Sequence, residues 1–418
     1  MRKHKERDAY IKNRVLIHCS ILTLLFFLNC FVGEMAYIIY PFVFLLILFD
    51  NRRAGFSYLI FCIPYAALTI YMGTILYGAC IVLYIVKFYI MLYAKDHSKP
   101  NYIMLALMAL FLIYCLLPIG NYNYQKLIKT AVFFVLFAVI GMIIKKPDII
   151  NLHKNTRIFA LSLIISCVFG FTYWISPYLQ ATQSLFIMSN GHSRYQALLM
   201  QPNVLAMCCE VILAFLTYYM VSGQTKKRDI IMFVVVAFIG VMTLSKTYLL
   251  ILLFILAVLF IWRMCKRPLK TLVYTGIIGS IICVALLSNI PFTVSFMQRF
   301  GSGFSKLTNF RDFMNMVSTG RYELWLSYLV YIALNPLALI FGDGLGAVRR
   351  AFSSPHNAYI SAVYELGIVG LFLLGLVIAA MIWEFKKNKT TKVSKAFWIP
   401  LVVFGLLCMV EDVIFFIY

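Results

Sequence analysis

Apolar blocks long enough to cross a lipid bilayer succeed one another along almost the whole chain, and they fix what it can fold into. Most run about 17–23 residues, the length that spans roughly 30 Å of hydrocarbon as a helix. In lipid every backbone N–H and C=O must find a partner within the spanning structure, which leaves helices or closed barrels. The alternating ten-residue segments of a barrel are not seen. The chain therefore reads as an all-α polytopic integral membrane protein of about 12–14 transmembrane helices. Hydrophobic residues make up 63% and charged residues 12% of its 418 positions. A soluble domain carries about 25% charged residues, so no soluble fold would hide this much apolar surface.

Candidate spans fall at 15–32, 36–49, 55–72, 75–94, 101–119, 128–144, 158–176, 203–221, 229–245, 248–262, 271–290, 357–383 and 396–416. The block 55–94 is divided because an uninterrupted helix of that length would be about 60 Å long. The same reasoning divides 229–262 near Ser245. Residues 1–14 form a basic cytoplasmic N-terminus, and 1–418 read as a single membrane domain. The first apolar run lacks a small-residue cleavage site and more spans come after it, so no cleavable signal peptide is expected.

The formal charge of +22 raises a nucleic-acid reading, which the placement of the charges rejects. The basic residues sit in short clusters between apolar blocks, with no arginine-rich stripe or aromatic-basic module. Threaded through the spans, 26 of the 37 Lys and Arg residues fall on one side, and every loop there is basic. That side is the cytoplasm by the positive-inside rule. Eleven cysteines are scattered, mostly inside apolar blocks, without CxxC or Cys/His metal spacing. They read as small buried hydrophobes.

Two outer segments remain, 177–202 and 291–356. The second exceeds sixty residues, and a loop of that length is usually functional. Its stretch 322–341 is apolar but broken at Asn335-Pro336, and reads as helix lying at the outer interface. Next come a turn-rich Gly342-Asp343-Gly344-Leu345-Gly346 and then Arg349-Arg350.

Outer cations run against the positive-inside rule, so the residues downstream of each one matter. Arg194 precedes Gln201-Pro202-Asn203 at one span start. Ser245-Lys246-Thr247 opens another, and Ser353-Ser354-Pro355-His356-Asn357 a third. Ser, Asn and Pro are ordinary helix-start signals. All three helices run inward, so their positive dipole ends face out, where nearby cations would favour an anion such as phosphate. Arg321 could add a bidentate phosphate ligand. Each residue also has a plainer reading: Lys246 as a snorkelling side chain, Arg194 and Arg321 as solvated charges, His356 as a polar neighbour of a cap. Glu210 and Glu365 lie inside apolar blocks, where an ionisable residue is either functional or half of an internal pair.

The ordered set Gly320-Arg321-Tyr322-Glu323-Leu324-Trp325, Asn335-Pro336, Gly342-x-Gly344, His356-Asn357-Ala358-Tyr359 and Glu365-Leu366-Gly367-Ile368-Val369-Gly370 resembles the O-antigen ligase and O-antigen polymerase superfamily. Arg194 with Pro202-Asn203 is similar to the family's upstream Arg…PN element. Ser245-Lys246-Thr247 is similar to its Ser-Arg-[ST] element, with lysine in place of arginine. The resemblance implies a GT-C-like membrane glycosyltransferase using undecaprenyl-diphosphate-linked glycans on the outer face of the bacterial cytoplasmic membrane. His356 would then accept the proton of the acceptor hydroxyl, or position it, a task suited to imidazole at neutral pH. Arg321 and Arg194, with Lys246, would bind the diphosphate. Asn203, Ser245, Trp325, Asn357 and Glu365 would support the site. Such a reaction needs no metal or other cofactor if cations supply the charge stabilisation. The expected partners are the lipid-linked glycan, the bilayer and other export or chain-length proteins, with no nucleic acid.

The Lys-, Ile-, Tyr- and Phe-rich composition points to an AT-rich, Gram-positive kind of genome, whose cells lack a lipid A core acceptor. A capsular or surface polysaccharide repeat-unit polymerase is therefore favoured over a ligase. The alternative from another class is a lipid-linked oligosaccharide flippase or polysaccharide exporter. It would bury cations in a central cavity between helical halves, whereas here only Lys87 clearly lies within a span. A peptidoglycan polymerase would share the outer-loop logic, but its sequence pattern is not seen.

Overall fold

A computed structural model describes residues 2–65, 72–95, 101–117, 119, 124–145, 151–182, 184–189, 192–199, 201–273, 275–276, 294, 309–318, 320–348, 354–387 and 395–410. Most of the expected span at 271–290 lies outside these residues, as do Arg299, Lys306, Arg349, Arg350 and Ser353.

The helices in chain order are α1 Arg2–Asn29, α2 Ala36–Phe49, α3 Arg52–Cys62, α4 Met72–Ile90, α5 Tyr102–Leu116, α6 Tyr124–Lys145, α7 Leu152–Gly170 and α8 Pro177–Thr182. After a hairpin of β1 Phe186–Ser189 and β2 His192–Tyr195 come α9 Pro202–Val221, α10 Lys227–Met242 and α11 Lys246–Met264. The remaining helices are α12 Phe310–Ser318, α13 Arg321–Leu334, α14 Pro336–Phe341, α15 Ala358–Lys387 and α16 Trp398–Val410. The protein is an all-α polytopic membrane fold. Among the described residues six helices are long and apolar enough to span (α4, α6, α7, α9, α11, α15), and four shorter apolar helices accompany them. The basic N-terminus is helical, since α1 starts at Arg2. A difference from the sequence reading is a short antiparallel hairpin within the outer segment 177–202.

Helix starts obey local capping chemistry. Asn51, Asn101 and Asn151 each accept a backbone N–H three residues on, opening α3, α5 and α7. Ser245 does the same for α11.

The chain forms two compact units. The first comprises Met1–Tyr84, Asn151–Lys306 and Ser394–Val403. There α9 packs against α7, α10 and α11. Gly240 lets the Tyr248 ring lie directly on the α10 backbone, and the Tyr248 hydroxyl donates to Ala237 O at 2.8 Å. Such small-residue approaches are how helices associate without water to drive them together. Two buried acids of this unit are held by cations. Asp229 accepts both prongs of Arg157 (2.5 and 2.7 Å), and Asp50 takes Arg14 at 3.0 Å and the Tyr58 hydroxyl at 2.6 Å.

The second unit comprises Ile85–Ile150, Leu307–Val393 and Phe404–Tyr418. Its core joins α5, α6 and α15 through Phe111, Phe133, Phe137, Leu366, Val377 and Met381. The long α15 is kinked at Gly367 (φ 61°, ψ −174°).

Candidate functional site

In the first unit the β hairpin pairs Ile187 with Arg194 and carries the arginine into the interior, where it is 8% exposed. Its Nε donates to Thr243 O at 2.9 Å and a terminal nitrogen donates to Asn203 Oδ1 at 2.7 Å. Asn203 is the second residue of α9, after Pro202 at its first position. Thr243 belongs to the turn between α10 and α11, where Leu244 adopts φ 49°. Ser245 then caps α11, and Lys246 is its first residue. One guanidinium thus ties the start of α9 to the turn that opens α11. The two helix starts that carry Asn203 and Lys246 become neighbours, and both dipoles present their positive ends there. At least two of the guanidinium's donors are used in this joint, so Arg194 is a structural clasp as well as a cation.

In the second unit Gly320 (φ 83°) ends one helix and starts the next: its N–H closes onto Asn315 O at 2.7 Å. Arg321 comes next as the first residue of α13. Glu323 accepts two bonds from Arg311, both at 2.5 Å, and one from Asn315 at 3.0 Å. The Arg311 bonds, then the Asn315 bond, hold its carboxyl below the usual glutamate range. Trp325 lies one turn past Arg321 on the same helix face. Its indole N–H donates to Pro355 O at 2.7 Å, fastening α13 to the residue immediately before His356. His356 itself sits at φ 48°, a left-handed conformation uncommon outside glycine, with its N–H bonded to Ser354 Oγ at 3.2 Å. Asn357 Oδ1 accepts from Tyr359 N and Ile360 N at 3.0 and 3.1 Å and caps α15. Arg321, Trp325, His356 and Asn357 therefore share one neighbourhood, with a cation and an imidazole at two adjoining helix starts.

The glycine-rich loop does something else. Asp343 N–H and Gly344 N–H donate to Tyr364 O and Glu365 O at 2.8 and 3.1 Å, so the loop lies flat on the kink of α15. Gly342 (φ 71°) and Gly367 are in backbone contact there, and a Cβ at either would enter the other strand of chain. The Tyr114 hydroxyl lies 2.7 Å from both Phe341 O and Leu366 O, and its one proton is shared between the two carbonyls. Glu365, 1% exposed, turns its Oε1 to Gly346 N at 3.0 Å and to Lys129 Nζ at 2.6 Å. Lys129 (8% exposed) and Lys126 (1%) are buried on α6, and Lys126 donates to the Leu117 and Ile119 carbonyls at 2.8 and 2.9 Å. Threading the sequence by charge leaves Lys126 and Lys129 among the ten Lys and Arg residues outside, as loop charges, whereas the structure buries both. The cue was available: a glutamate in an apolar block needs an internal cation. Which cation supplies it depends on the packing of α6 against α15. Glu365 is accordingly half of an internal pair.

Residues 231–375, roughly a third of the chain, match the model of a family described as O-antigen ligase. The match includes Lys246, Arg321, the glycine loop, His356 and Glu365, and begins after Arg194 and Asn203. The resemblance carried by the motifs is borne out over that stretch. No curated protein and no solved structure matches the chain.

Proposed function

We propose that this multi-pass membrane protein with an O-antigen ligase region is a glycosyltransferase that polymerises undecaprenyl-diphosphate-linked repeat units into capsular or other surface polysaccharide. The site lies on the outer face of the bacterial cytoplasmic membrane. The acceptor sugar hydroxyl attacks the anomeric carbon of the donor. A new glycosidic C–O bond forms as the bond to the lipid diphosphate breaks. His356 takes the hydroxyl proton, and Arg321 stabilises the charge that collects on the departing diphosphate. The cation-bearing helix starts of the first unit, with Lys246 and Arg194, suit a diphosphate by the same physics. Cations at these starts would make a metal unnecessary. The observation carrying this reading is the Trp325–Pro355 bond, which sets the His356 turn against the helix that begins with Arg321.

The test is incubation of purified protein with a lipid-linked repeat, with glycan length then read from a gel ladder. Wild type should give the ladder. His356→Ala and Arg321→Ala should each abolish it at normal protein level. Both variants extending chains would remove the site assignment. Transfer of one finished glycan to a different acceptor would replace polymerase by ligase. Movement of lipid between leaflets with no longer glycan would replace the enzyme by a flippase.

A further inference from the structure

At the opposite end of the second unit from His356, α5 begins where α6 and α15 finish. By the charge count this end faces the cytoplasm. A cavity of about 600 Å³ opens there, lined by Asn101, Ile103, Lys145, Trp383, Glu384 and Lys387 among others. Glu384 is engaged on both oxygens: Oε1 takes Lys145 at 2.5 Å, and Oε2 takes the Asn101 amide at 2.8 Å. It offers little to an incoming ammonium. The donors are less used. Asn101 Oδ1 caps only Met104 N–H, leaving the amides of Tyr102 and Ile103 without a hydrogen-bond partner among the described residues. Lys387, exposed on the rim, makes no hydrogen bond or ion pair among the described residues. Among the described residues the cavity's carboxylate has both oxygens filled and Lys145 is paired with it, whereas Lys387 acts on Glu384 only through its charge and the first two amides of α5 make no hydrogen bond. Its wall is apolar and outward-facing, with Ile103 74% and Trp383 72% exposed.

We propose that this cavity binds the headgroup of an acidic glycerophospholipid from the inner leaflet. The phosphate diester sits between Lys387 and the first amides of α5, and an acyl chain runs along Trp383 and Ile103. A zwitterionic headgroup is disfavoured because its ammonium would meet lysines and a glutamate already paired. Basic pockets between spans on the cytoplasmic side are suited to such lipids. The inference does not depend on the reaction proposed above.

The experiment uses the full chain, purified in detergent and exchanged into nanodiscs of equal phosphatidylglycerol and phosphatidylcholine, with bound lipid read by native mass spectrometry. Wild type should retain phosphatidylglycerol in preference. Lys387→Glu, at an exposed position where folding is undisturbed, should lower that preference about tenfold. Lys270→Glu, which reverses an exposed charge in the first unit, should leave it unchanged. Equal loss in both variants would reduce the effect to general surface charge and overturn the site. No preference in wild type would also overturn it. Displacement of bound lipid by millimolar glycerol 3-phosphate would show a free-phosphate site and overturn the lipid assignment.

Discussion

A lysine and a glutamate buried together among apolar helices persist as charges only because each has the other. Lys129 and Glu365 are such a pair, at 2.6 Å. Removing one partner leaves an uncompensated buried charge, which costs about 3–5 kcal/mol, whereas replacing both can be close to neutral. Lys129→Met should therefore lower the thermal midpoint in detergent strongly, and Lys129→Met with Glu365→Gln should recover most of the loss. Equal midpoints for single and double variants would mean that the pairing contributes nothing. The glutamine keeps an oxygen for Gly346 N–H, so the loop retains its anchor. At this scale the sequence marked Glu365 as functional or half of an internal pair, and the structure gives it Lys129 as partner; it also singled out His356 and Arg321, which lie at two helix starts. Asn357, read there as a helix-start signal and a supporting residue, is the cap of α15.

Elements join through corners whose strength depends on a few exposed charges. The α12–α13 corner is closed by Gly320 and bridged by Arg311 to Glu323. The Glu323 carboxyl titrates below its usual value, so the bridge is fully present above the unfolded carboxylate pKa. It is lost as pH falls through the lowered folded value. Both side chains are solvent-exposed and screened, so the effect is local. Amide exchange in α12 should quicken on acidification beyond the trend for free peptide, and Glu323→Gln should show the quicker exchange already at neutral pH. A variant indistinguishable from wild type at neutral pH would deny the bridge a role. The break at Asn335-Pro336 was legible because proline lacks an N–H and suits a first helical position. The β hairpin was not, since four-residue strands carry too little alternation to stand out among apolar neighbours.

Across the whole molecule the basic loops set orientation, and orientation decides which solvent each terminus of a helix meets. Cys265, exposed just after α11 in the basic run Arg263–Lys270, is assigned to the cytoplasmic side. A membrane-impermeant maleimide should label it in inverted vesicles and not in intact cells, with Cys265→Ser as the blank. Labelling from outside would invert the threading and move His356 to the wrong face for the proposed reaction. The apolar spans and the ordered motifs were legible in the sequence, because bilayer thickness acts on short windows of chain, and charge partition supplied the expected inside-outside alternation that the labelling tests. Tertiary structure alone decided that Arg194 clasps two helix starts, that Lys129 answers Glu365 across 236 positions, and that the glycine loop lies on a helix kink. Those pairings are long-range, and only packing selects one buried partner among many that the sequence would allow.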